Sequence, residues 1–194
     1  MFSVKIDKLI DMSKNQEEDY HALTDRILNI IDLKVHSIGL VGAGTNAIKI
    51  AASLSERTGK VILVDGDFTS EAFMGKYKLG KHLLGWRDSL KNGEAVNKNI
   101  AVTSYPLMDL LFTGDEEVDW TDSMRDSFAS AMDALGSEYS YVLVTSDEEG
   151  RTARCCDAAI LCMSESEYTV NKAKDRVAEL DRNGCYVLGV VLYE

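Results

Sequence analysis

Residues 37–67 constrain the fold more than any other stretch of this chain. Ser37-Ile38-Gly39-Leu40-Val41 is a short apolar run, Gly42-Ala43-Gly44 a glycine-rich turn, and Asn46–Thr58 a helix-like stretch closed by Gly59. Val61-Ile62-Leu63-Val64 is a second apolar run, ending in Asp65-Gly66-Asp67. A strand, a loop, a helix and a strand in that order pair their strands in parallel, because the crossover spans the sheet instead of turning back as a hairpin. Further apolar runs follow at Ile100–Val102, Tyr141–Val144, Ala158–Met163 and Val187–Leu192. Uniformly apolar strands separated by helical stretches predict an α/β three-layer sandwich, a mainly parallel sheet covered by helices on both faces.

The turn after the first run has the glycine spacing of a phosphate-binding loop, G-x-x-x-x-G-K-[ST], in which backbone N–H groups wrap phosphates, the Lys reaches them and the hydroxyl binds Mg²⁺. Gly39 and Gly44 keep the spacing, with Gly42 and Ala43 between them, but Thr45 stands at the Lys position and Asn46 at the Ser/Thr position. The same glycines also suit a plain strand-to-helix turn; what favours the phosphate-loop reading is the strand and helix on either side.

From these segments the chain resembles the deviant-Walker P-loop ATPases, the MinD/ParA superfamily. Within it, the chain is most similar to the bacterial tyrosine kinases and ATPase modules of capsule and exopolysaccharide assembly, the CpsD type. Glu18-Asp19-Tyr20-His21-Ala22-Leu23 resembles the family's N-terminal helix, Val64-Asp65-Gly66-Asp67 its D-x-D motif, and Leu84–Glu94 its G-L-x-D-x-L-x-G-E segment. Cys185–Leu192 resembles its final strand. The resemblance implies a P-loop NTPase fold, with Asp65 and Asp67 as the acids that hold Mg²⁺-bound water and polarise the attacking group.

The departures fall on the cations. The superfamily's signature Lys would fall at Leu40, and Thr45 replaces the second Lys, so the loop carries no cationic side chain. A Lys–phosphate contact contributes about 1.5–3 kcal/mol, and without it Asp65 and Asp67 give the cleft a field that opposes a polyanion. The family's third acidic motif, Asp-Thr-Pro-Pro, becomes Thr145-Ser146-Asp147-Glu148; Asp147 could replace the missing acid, and is otherwise read as a solvated turn residue or helix N-cap. Lys49, one turn into the helix, and Arg151 with Arg154 are the surrogate cations to test against the structure. The family's E-x-x-R-x-x-R oligomerisation pattern becomes Glu18, His21 and Thr24, and the chain reads Tyr193-Glu194 where the adenine-contacting segment begins. ATP or ADP with Mg²⁺ is therefore expected to bind weakly at most, and no metal site is expected.

Composition narrows the partners. Among 194 residues the formal net charge is −11, which argues against phosphate-backbone binding to nucleic acid or to an anionic membrane unless a basic patch such as Lys76–His82 is concentrated by the fold. No apolar run is long enough to span a bilayer, and Met1–Asp7 lacks a signal-peptide pattern, so a cytoplasmic site is expected. Cys155, Cys156, Cys162 and Cys185 lack C-x-x-C spacing and read as reduced, structural thiols. Residues 1–35 are expected to form a helical segment packed on an ATPase-like unit over 36–194, with Tyr20, Leu23, Ile27, Ile30 and Ile31 as a core stripe. The resemblance implies a protein partner in envelope assembly, such as a membrane chain-length regulator, possible homo-oligomers, and a place at the inner membrane face through that partner. The leading expectation is a catalytically degenerate, partner-binding module. An active kinase or ATPase with a rearranged site and a MinD/ParA-like scaffold are the alternatives.

Overall fold

The computed structural model describes residues 2–32, 34–68 and 83–194. Eight strands lie within them: β1 (Phe2–Val4), β2 (Ser37–Val41), β3 (Val61–Val64), β4 (Ala101–Thr103), β5 (Met108–Leu111), β6 (Tyr141–Ser146), β7 (Ala158–Ser164) and β8 (Val187–Tyr193). They form one sheet in the order β1-β4-β5-β3-β6-β2-β7-β8. The helices are α1 (Asp7–Ile10), α2 (Lys14–Ile30), α3 (Asn46–Thr58), α4 (Trp86–Lys91), α5 (Asp122–Gly136) and α6 (Val170–Arg182). The basic cluster at Lys76–His82 lies outside the described residues.

Every described strand pair is parallel except β4–β5. The exception has a local cause. Residues 104–107 turn β4 directly into β5, Thr103 Oγ1 donates to Met108 O at 2.6 Å, and Leu107 closes the turn at φ 61°. Two strands escaped the sequence reading: β5, whose run contains the charged Asp109, and β1, which pairs with β4 as Phe2↔Ala101 to Val4↔Thr103. The segment over 1–35 thus contributes a strand as well as helices. The expected strand at Ile100–Val102 begins one residue later, at Ala101.

Side-chain alternation divides the core between the two faces of the sheet. Ile38, Leu40, Leu63 and Ile160 pack with α3 on one face, while Ile62, Val64, Val142 and Val144 meet Trp86 and α5 on the other. Val41, Ala159, Leu161 and Met163 continue that second face beneath α6. Burying each large aliphatic side chain contributes about 1.5–3 kcal/mol, which is why runs apolar at every position settle in the sheet centre. α2 starts at a capping box in which Ser13 and Gln16 satisfy each other's backbone N–H. Of its expected stripe, Ile27 is buried and Tyr20, Leu23 and Ile31 pack against the core, whereas Ile30 is exposed. All four cysteines are free thiols.

Candidate functional site

β2, β3 and β6 lie side by side in parallel, so the segments leaving their C-terminal ends meet at one edge of the sheet. These are the glycine loop at 42–46, Asp65–Asp67 and Ser146–Asp147. An open parallel sheet places ligands at that edge.

The backbone of the loop changes handedness between neighbouring residues. Gly42 and Gly44 have φ of 74° and 52°, while Thr45 returns to right-handed helical angles of −70° and −15°. Such alternation of handedness is how anion nests are built. Gly42 has a second constraint, since a Cβ there would sit 2.8 Å from the carbonyl oxygen of Cys162.

Two of the loop's side chains are turned to the core and to α2. Leu40 is fully buried in β2, and Thr45 makes no capping bond through its side chain. Asn46 turns toward α2, where its Oδ1 accepts a 3.0 Å bond from the Tyr20 hydroxyl. Lys49 places its Nζ 5.8 Å from the Tyr20 ring centroid. On the other side the Tyr193 hydroxyl donates to Gly42 O at 3.3 Å. Burial is the main reason the Tyr20 hydroxyl is pushed up to about 12, so it stays a neutral donor. Sequence reading placed Tyr20 in a core stripe and Tyr193 at a base-contacting position; the contacts of both hydroxyls with the loop are visible only in three dimensions.

The acidic arm is shut in. Asp65 is buried, and desolvation raises its carboxyl to about 7 against the opposing pull of the Thr113 and Thr145 hydroxyls. Thr145 Oγ1 donates to Asp65 Oδ1 at 3.2 Å and accepts from the Gly66 N–H at 3.1 Å. The Thr145 hydroxyl therefore ties β6 to the Asp65–Asp67 segment. Thr152 adds a bond to Gly66 O at 3.1 Å, and a Cβ at Gly66 would lie 2.6 Å from Thr145 O. On the outer flank Trp86 Nε1 donates to Asp65 O at 2.8 Å. Arg87 feels the charge of Asp65 while its guanidinium stacks 4.4 Å from the Phe68 ring centroid. The role of Arg87 was not foreseen, although it lies within the Leu84–Glu94 segment already singled out.

Asp147 departs from the solvated-turn expectation: it is buried, with its carboxyl raised by desolvation. Its Oδ1 accepts the Arg151 N–H at 3.0 Å, and Arg151 Nε lies 3.3 Å from Oδ2. The same guanidinium reaches Glu149 Oε2 at 3.0 Å. Arg151 is thus committed to two carboxylates, and Arg154 is exposed. A cleft of about 220 Å³, lined by His36, Ser37, Asp133, Gly136 and Asp157, opens elsewhere, where β2 and β7 begin.

These residues fit a magnesium–nucleotide group poorly. Residues 42–46 include no cationic side chain, Asn46 Oδ1 is already engaged, and a carboxyl that titrates near neutrality is a weak hard-metal anchor. Among the described residues no three His, Cys, Asp or Glu side chains are placed to hold a metal ion.

The fold is that of the P-loop NTPase-like α/β proteins, and the likeness to known proteins agrees. The chain is 25% identical over 197 aligned residues to tyrosine-protein kinase CpsD of Streptococcus pneumoniae serotype 4, covering 95% of this chain and 87% of that one. The CpsD kinase of Streptococcus agalactiae serotype III is 21% identical, with 96% and 86% covered. Among solved structures, the chimerical protein CapA2B2 superposes with a TM-score of 0.78 at 19% identity, covering 98% of this chain and 92% of that one. The kinase domain of Escherichia coli tyrosine kinase ETK gives 0.75 at 14% identity, covering 98% and 88%. A plasmid partition protein from Borrelia burgdorferi gives 0.59 at 17% identity, covering 82% and 78%. No family model matches the chain. Its homologues are CpsD tyrosine kinases and its structural neighbours are bacterial tyrosine kinase domains and a partition protein, consistent with the deviant-Walker P-loop ATPases. No described helix is long and apolar enough to cross a membrane.

Proposed function

We propose that this chain is a catalytically degenerate member of the CpsD-type branch, a module that keeps the kinase fold for partner binding or regulation in exopolysaccharide or cell-envelope assembly. One observation carries the reading: the two cation positions of the loop hold Leu40, which is buried, and Thr45, which is uncharged, while Lys49 and Arg151 are directed to Tyr20 and to carboxylates. Phosphoryl transfer works by positioning and charge neutralisation, and a cradle without cations supplies neither. In this reading Asp65 and Asp67 are vestigial, Asp147 serves its ion pair with Arg151, and 42–46 is a backbone loop that joins α2 and β8. The partner is a protein of envelope assembly such as a membrane chain-length regulator, which would hold the chain at the cytoplasmic face of the membrane.

Isothermal titration with ATP and Mg²⁺ at moderate salt tests this. The expected result is no binding below about 0.1 mM, where each lost charge-assisted contact weakens affinity by roughly one to two decades. Micromolar binding, or labelling of an added tyrosine substrate by γ-phosphate, would overturn the reading in favour of an active kinase.

A further inference from the structure

The two edges of the sheet are unlike. At one, β1 is three residues long and followed directly by Lys5, the kind of short, charged edge that discourages strand pairing. At the other, β8 runs for seven residues, Val-Leu-Gly-Val-Val-Leu-Tyr, with no charge and no proline, carries one bulge near its start, and among the described residues pairs with β7 alone. Along an edge strand alternate backbone groups point outward and call for another strand.

The side chains around β8 identify that strand. Past a bulge at Val187–Gly189, β8 pairs regularly from Gly189↔Ile160 to Tyr193↔Ser164, so Val191 and Tyr193 pack into the core on the α2–α3 face and alternation sends Val190 and Leu192 to the α6 face, where they are 36% and 41% exposed. α6 lies over that face but leaves them uncovered. It seats Ala173, Val177 and Leu180 on the sheet, while Arg176 and Asn183 reach back to the carbonyls of Glu148 and Glu149. The opposite flank of α6, carrying Val170, Lys174, Ala178 and Asp181, therefore faces the β8 edge, and all four are exposed.

We infer that the regular stretch of β8, Gly189–Tyr193, pairs antiparallel with the same stretch of a second copy about a two-fold axis near Val191, joining two sheets into one. That symmetry brings the two α6 helices side by side and antiparallel on one face. Lys174 then meets the partner copy's Asp181 and Asp181 meets its Lys174, with the small Ala178 between them at the axis. Val190 and Leu192 are covered at the seam. The helix flank is charge-complementary to itself only in this orientation, which favours a second copy over an unrelated strand. The net charge of −11 works against association, but β8 carries none of it and screening at physiological salt limits its reach to about 8 Å. The inference stands whether or not the chain binds nucleotide.

Sedimentation velocity on the full chain from about 5 to 200 µM, the range where modest interfaces associate, should show a monomer–dimer equilibrium, with amide exchange of β8 slowing as dimer forms. Val190→Lys with Leu192→Lys, both at exposed positions, should weaken dimerisation by about thirtyfold or more while circular dichroism is unchanged. Lys174→Asp alone and Asp181→Lys alone should each weaken it about tenfold, and an equimolar mixture of the two variants should return to within about threefold of the native value. A monomer at every concentration, a dimer whose β8 amides exchange freely, or a dimer indifferent to the paired lysines would overturn the proposal.

Discussion

The glycine loop and the acidic arm lie at the same edge of the sheet and are built in opposite ways. In the loop the backbone is distinctive and the side chains are turned to the core and α2: Gly42 and Gly44 have positive φ, while Leu40 is buried and Asn46 is bonded to Tyr20. In the acidic arm the side chains survive and their surroundings do not suit them to a metal, since Asp65 is sealed against Thr145 and Trp86 and holds its proton up to about pH 7. Backbone shape and site chemistry are therefore separable. The first is fixed by close packing, as between Gly42 and the Cys162 carbonyl in the loop, and the second by a few replaceable side chains.

The largest effect should come from the packing difference. Gly66→Ala places a methyl group 2.6 Å from Thr145 O and 2.8 Å from Val144 Cγ1, whereas Gly44→Ala meets nothing within 4 Å and bears only the strain of φ 52°. Urea unfolding should show a loss of about 3 kcal/mol for Gly66→Ala and about 1 kcal/mol for Gly44→Ala. Equal costs would mean that the acidic arm is no more tightly packed than the loop.

Next is the dependence of stability on pH. Asp65 has a folded-state value of about 7 against an ordinary 3.8. Below the ordinary value both states are protonated and the folded state carries no penalty. Between the two values the unfolded chain releases the proton and the folded chain keeps it, so stability falls as pH rises and levels off above about 7. At 1.36 kcal/mol per pH unit the native chain should lose roughly 2–3 kcal/mol between about pH 5 and pH 8. Asp65→Asn should remove most of that slope, leaving a smaller one of the same sign from Asp147, whose carboxyl is also raised. An unchanged slope in the variant would place Asp65 in a wetter setting than its burial indicates.

A gain of binding should be the smallest effect. Thr45→Lys with Asn46→Thr should improve ATP affinity by roughly one to two decades, corresponding to about 1.5–3 kcal/mol from one restored cationic contact. Hydrolysis should stay at background, because Thr145 leaves the metal without its third acid. Adding Thr145→Asp is the step that could restore turnover. Full turnover in the double variant would show that Asp147 already serves the metal, and that the two regions differ less than their surroundings suggest.

Sequence by itself determined the parallel strands and the position of the loop. Runs apolar at every residue, such as Val61–Val64, have no solvated side to offer and become central strands, and glycine spacing after such a run marks where backbone curls under a helix. It also showed which cations are missing, because an absent lysine can be read without coordinates. β5 was hidden by Asp109, whose carboxylate is accommodated in the sheet only because Lys60 and Tyr139 reach it at 2.9 and 2.7 Å. β1 was too short to carry a period. Asp147 read as a turn residue because nothing in its neighbours reveals burial, which depends on how β6 ends against the elements around it. The Tyr20–Asn46 bond spans 26 residues and the Tyr193–Gly42 bond 151. Local pattern sets secondary structure through short-range sterics and hydrophobic period, whereas a residue's ionisation, its partners and the exposure of an edge such as β8 depend on residues distant in sequence, and only the tertiary structure brings those together.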